Sequence, residues 1–334
     1  SSSADSEEHK PVTLTILHEH SEEAAASVVS SAAFRAMMEK YLEEHPWVTL
    51  EEQIIASSEI QAKYLALIAA DELPDVTYVK YTWLADTAGQ GMLVDLTDYV
   101  DPADYQDGLY STTYEGRVYG VENKYSVYNL IVYNTELWKQ AGYDEFPKTM
   151  DELIAAAPAF ESLGIPEISF ANSAKWFATS YFLSPLMYNY CGEDWVNGVI
   201  AGDDSYSFND PEFIQALETL QQMAPLFNAD FNSQDDIWAA AWYMQGNAAS
   251  HIVGGWGIDT LKGLAEDYPE VWENSRVVLL PSANGAEDTL INACGAAVGV
   301  SSRLEEPGME EELEAAIGLC LQISSQDYAE FMAE

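Results

Sequence analysis

Basic residues are scarce in this chain. Its 334 residues carry 13 Lys and Arg against 56 Asp and Glu, a net charge of −43. So acidic a surface repels a phosphate backbone and anionic lipid. Nucleic acid is therefore excluded as a partner, and the scattered cations offer no local anion pocket. Cysteine is scarce too. Cys191, Cys294 and Cys320 stand far apart with no Cys-x-x-Cys and no zinc spacing, which argues against a disulfide framework and leaves three free thiols. No apolar run approaches the roughly 20 residues of a membrane-spanning helix. Catalytic signatures are missing as well: there is no Gly-x-Ser-x-Gly, no His-Glu-x-x-His and no phosphate-cradling glycine loop. Paired carboxylates, the mark of a glycoside hydrolase, carry no information among 56 acidic residues. The chain is read as a non-enzyme with no cofactor and no metal.

What is present is apolar residues, at 48% of the chain, and length enough for two domains. The first eleven residues are small, polar and charged, and are expected to be a flexible leader. Val12 to Leu17 then reads as a buried strand. Phe34, Met37, Met38, Tyr41 and Leu42 make one helical stripe, stopped at His45-Pro46. Val48 to Ile55 is a second strand, and Ile60, Tyr64, Leu65, Leu67 and Ile68 mark a second helix. Pro74 to Val79 is a third strand. This β-α-β-α-β order predicts an α/β fold with a parallel sheet. Ligands of such sheets sit at the carboxyl ends of strands. Two ends are already visible, His18-Glu19-His20-Ser21 and Lys80-Tyr81-Thr82-Trp83.

The stretch from Tyr114 to Asn134 passes from a polar hairpin (Glu115, Gly116, Arg117), through a Tyr-Gly step and a polar aromatic passage, to a buried-looking strand. It resembles the hinge of the extracellular solute-binding proteins that feed sugar importers, the maltose-binding-protein family. Ala88 to Tyr99 resembles that family's glycine, leucine, x, aspartate, leucine, threonine step after the third strand. Leu130 to Gly142 resembles the strand-to-helix junction of its second lobe. Pro147 to Leu153 resembles its proline, threonine, glutamate helix start, with Met150 in place of the usual Trp and Thr149 as N-cap. Met244 to Trp256 resembles its glycine-x-tryptophan strand end, and Ala293 to Ser302 its small-residue strand.

The resemblance implies a two-lobed α/β periplasmic-binding fold of type II, closing by hinge motion on a ligand between lobes. Lobe 1 is expected over 12–122 plus 283–314, and lobe 2 over 123–282 plus 315–334. Crossings are expected near Gly120 to Asn123, near Val277 to Pro281 and after Ala315. Further helices usually follow the segment matching Ala315 to Phe331, so the second lobe is expected to be incomplete by residue 334. The implied function is capture of a neutral oligosaccharide for an ABC permease, by a monomer at the outer membrane face, lipid-anchored or periplasmic. A polyamine, peptide or metal-complex binder is the alternative, with a hydrolase behind it.

Sugar pockets join aromatic faces to hydroxyl-binding polar groups. Trp256, after a Gly-Gly pair, is the expected stacking residue, in a loop. Trp176 reads equally as a second platform or as packing at a helix start. Trp83 fits the site or covers a loop. Glu19 is the favoured hydroxyl acceptor, with His18, His20 and Ser21 beside it and Lys80 and Tyr81 at the third strand end. Asn123 and Tyr125 stand at the crossing, and Asn292 before the small-residue strand. Trp138 and Trp47 read as packing residues.

Overall fold

The computed structural model describes residues 9–26, 28–56, 59–105 and 108–333. The chain divides into two compact units, one of residues 1–125 and 293–334, the other of residues 126–292.

The first unit is built on a five-stranded sheet in the order Val48–Ile54, Val12–His18, Val76–Val79, Asn292–Val300, Val121–Val127. The strand Val12–His18 runs parallel to both Val48–Ile54 and Val76–Val79, as the β-α-β-α-β reading predicts. Asn292–Val300 returns antiparallel against Val76–Val79. Helices cover both faces, so side chains pointing either way are apolar. Val12, Leu14 and Ile16 join one core with Phe34, Met37, Met38 and Tyr41 of the helix Val29–Glu44. Leu17 joins the other core, with Ile60, Tyr64 and Leu67 of the helix Ile60–Ala70. Leu65, assigned to the apolar stripe of that helix, is instead 52% exposed. At Gly299 an added Cβ would lie 3.0 Å from the Tyr119 carbonyl, so the missing side chain there lets neighbouring backbone approach.

Two boundary expectations change. The helices Glu310–Ile323 and Gln326–Ala333 belong to the first unit, not to a second lobe. The first of them buries Ile317, Leu319, Cys320 and Ile323 in the core that holds Val12 and Met37. The segment Val277 to Pro281 does not lead back to the first unit either. Its strand, Ser275–Leu279, pairs antiparallel with Leu130–Asn134. The chain changes unit at 125/126 and 292/293, with no third crossing after Ala315.

The second unit holds a four-stranded sheet in the order Ser275–Leu279, Leu130–Asn134, Ser250–Val253, Ile168–Ser169. The expected strand-to-helix junction is present. Asn134 Oδ1 accepts from the Glu136 and Leu137 amides and so caps Thr135–Gln140. Thr149 caps Met150–Leu163 by accepting from the Glu152 amide at 3.2 Å. Trp138 is core, 1% exposed, with its indole N–H donating to Ser250 Oγ. Trp47 is half-buried and stacked on His9 at 3.8 Å. Asn129, fully buried, ties the 280–291 segment down. Its amide donates to the Thr289 carbonyl and its oxygen accepts from the Ile291 N–H. Cys320 is a buried free thiol and Cys191 a half-buried one, while the side chain of Cys294 lies outside the described residues.

Candidate functional site

In the first unit the turn after Val12–His18 is held by its own polar groups. His18 is fully buried and His20 is 3% exposed, both packed on Phe34. His18 Nδ1 accepts from the His20 backbone N–H, which leaves the proton on Nε2 to bridge to Glu52 at 3.0 Å. Desolvation dominates and lowers its pKa, against the opposing pull of Glu52. His20 Nδ1 pairs with Ser31 Oγ at 3.0 Å, and Arg35 ties Glu52 to the His20 carbonyl. Ser21 is spent as a helix cap, its Oγ accepting from the Ala24 N–H. His18 and His20 thus pack on Phe34, and Ser21 caps a helix. Glu19 is half-buried, and the Tyr78 hydroxyl donates to its Oε1 at 2.9 Å.

At the third strand end, Lys80 precedes the helix Tyr81–Gly89 and Tyr81 is 40% exposed. Trp83 lies 5.2 Å from Tyr64, ring to ring, with the Lys80 ammonium 5.9 Å from its centroid. It lines a lateral groove with Gln61, Leu65, Ile68, Gln90 and Tyr114. Gln61, Leu65 and Ile68 share one face of the helix Ile60–Ala70, so Trp83 covers that helix rather than crowning a strand end. Asn123 and Tyr125 lie in the strand Val121–Val127, but their side chains, like that of Lys124, fall outside the described residues. Asn292 is exposed at the first position of its strand.

The second unit assembles an aromatic platform. Trp256 meets Tyr128 edge-on at 5.4 Å, Trp176 at 5.9 Å and Tyr181 in a stack at 6.2 Å. Trp176 is 40% exposed and closes on Phe177 at 4.0 Å. The sheet explains why these rings meet. Ile168–Ser169 and Ser250–Val253 run parallel, so the segments that follow them, bearing Trp176 and Trp256, leave the same edge. Trp256 sits in the first turn of the helix Gly255–Gly263, not in a loop as expected. Its ring folds back over Gly254, where an added Cβ would come within 2.1 Å of the indole. The glycine signal read from sequence is real, but it makes room for the ring rather than for a turn. Tyr128, Phe177, Tyr181 and Asp236 went unrecognised in the sequence.

Beside Trp256 lies a cavity of about 20 Å³, room for one water, lined among others by Tyr181, Asp236, His251 and Thr260. Burial pushes the Asp236 carboxyl above the usual carboxylate range. Burial also lowers His251 to about 4, so it is neutral, with Nδ1–H donating to the Ser169 carbonyl at 3.1 Å. Among the described residues, no Lys or Arg lines the cavity. Among the described residues no cluster of three or more His, Cys, Asp or Glu is placed to hold a metal ion, and no helix is long and apolar enough to cross a membrane.

The model of the bacterial extracellular solute-binding protein family matches residues 25–303. The diacetylchitobiose binding protein DasA of Streptomyces coelicolor is 26% identical over 219 residues, which is 59% of this chain and 46% of the relative. The maltodextrin-binding protein MdxE of Bacillus subtilis is 24% identical over 250 residues, 73% of this chain and 56% of the relative. The chain spans about half the length of these relatives. A solved chitin oligosaccharide binding protein superposes with a TM-score of 0.80 at 20% identity, over 95% of this chain and 78% of that one. Maltose-bound MalE3 of T. maritima gives 0.75 at 20% identity, over 96% and 79%. These likenesses establish the two-lobed α/β fold, and the family match covers well over half of the sequence. The chain belongs to the bacterial extracellular solute-binding proteins.

Proposed function

We propose that this protein captures a neutral oligosaccharide and hands it to the membrane subunits of an ABC importer, without cleaving it. The observation that carries the reading is the ring cluster of Tyr128, Trp176, Tyr181 and Trp256. Pyranose rings present C–H faces that stack on such a platform, while hydroxyls need acceptors of the Asp236 kind. The described lining of the cavity, which holds no Lys or Arg, and a neutral His251 support an uncharged ligand. The names of DasA and MdxE, which bind diacetylchitobiose and maltodextrin, support a sugar.

A thermal-shift panel of malto-, cello-, xylo- and chito-oligosaccharides tests this. A true ligand at a hundred times its Kd adds about 2.7 kcal/mol of stability by mass action, and that shift is expected to change little between 50 mM and 500 mM salt. Chromatography after incubation is expected to return the glycan intact. A shift given only by spermidine and lost in salt would assign the platform to a polyamine. Glycan fragments in the chromatogram would overturn the non-enzymatic reading.

A further inference from the structure

Asp236 opens the helix Asp236–Met244 and reaches the cavity beside Trp256 and Tyr181. Among the described residues of that lining it is the only acidic one. Its neighbour Asp235 is already committed, capping the helix by accepting from the Trp238 N–H at 2.8 Å. Asp236 caps nothing through a side chain: it is exposed at the helix start, partial desolvation and the neighbouring Asp235 charge raise its pKa, and the backbone N–H groups of residues 236 and 237 oppose them. Ile237 beside it stands 69% exposed and makes an apolar rim. His251 on the same lining is neutral, and the Lys175 ammonium donates to the Asn232 carbonyl at 3.5 Å. A carboxylate so placed has spare lone pairs facing an aromatic platform and no cation to offset it. It favours hydroxyl donors and penalises any anion brought against the rings.

We propose that Asp236 sets the specificity of this platform, accepting hydroxyl hydrogen bonds from neutral saccharides and rejecting uronate-bearing ones. Specificity of this kind comes from a repulsive element as much as from an attractive one. The selector rests on the saccharide reading above, and the two can fail separately.

The test is calorimetric titration with maltotetraose, cellotetraose and chitotetraose, each beside its C6-oxidised uronate form. The wild type is expected to bind the neutral member at least roughly tenfold tighter than its uronate twin. Asp236→Asn is expected to bring the two within about threefold, mainly by gaining uronate affinity. Asp236→Glu is expected to keep the preference, which separates charge from shape. Unchanged melting midpoints in both variants show that the fold is intact. Neutral binding with no preference, or a preference that survives Asp236→Asn, overturns the selector and leaves the saccharide reading standing. No binding of any neutral glycan overturns both.

Discussion

Glu167→Gln is expected to stabilise the second unit by about 3 kcal/mol at pH 7, and by almost nothing at pH 4.5. Glu167 immediately precedes the strand Ile168–Ser169, is 1% exposed, and among the described residues has no hydrogen-bond partner at either carboxylate oxygen. Burial raises its pKa to about 8 from the ordinary 4.5. The folded chain therefore holds a proton that the unfolded chain releases above pH 4.5. Stability tied to that proton is complete below 4.5 and is lost as pH rises through 8. Gln has the same shape and no proton to lose, so the gain should grow with pH across that window. Urea unfolding of both proteins at pH 5 and pH 8 reads it directly. An equal difference at both pH values would show that Glu167 ionises freely in the folded protein. His251 slopes the other way. Its depressed pKa of about 4 gives stability that is complete above 6.5 and lost as pH falls through 4.

The first sheet was legible because strands buried on both faces must be written as apolar runs, and Val12 to Leu17 and Val76 to Val79 are. The placement of Glu310–Ile323 was not. Its apolar stripe says that the helix packs, but a stripe of Ile317, Leu319 and Ile323 fits either sheet. The packing of His18 and His20 was hidden for a related reason. The carboxyl end of a strand locates a site to within a few residues, and only the helix carrying Phe34, sixteen residues on, decides which of them are roofed over. Trp256 and Trp176 were legible through the motifs around them. Tyr128 and Tyr181 were not, since four rings spread from residue 128 to residue 256 meet only once the sheet is formed. Asp236 was one acidic residue among 56. Its distinction is the company it keeps in space.

Trp256→Ala is expected to weaken glycan binding by ~2 kcal/mol or more, a loss of roughly thirtyfold, while lowering stability far less than a core deletion does. The ring is half-buried and packs at the edge of the second-unit core. Removing it should cost less than the ~3–5 kcal/mol of a fully buried aromatic. Gly254→Ala makes the same point with the indole still present. Its Cβ would fall 2.1 Å from the ring atoms, so the indole must swing off the platform, and affinity should drop although no contact group has been deleted. Ring current and fluorescence of Trp256 should change in the same variant, because its neighbours Tyr128 and Tyr181 lie within 5.4 Å and 6.2 Å. Unfolding midpoint and titration with the best glycan of the panel are measured on one preparation of each variant. If the midpoint of Trp256→Ala collapses while its folded fraction binds normally, Trp256 belongs to the core and the platform loses its central ring. If Gly254→Ala binds as the wild type does, the folded-back pose over Gly254 has no part in recognition.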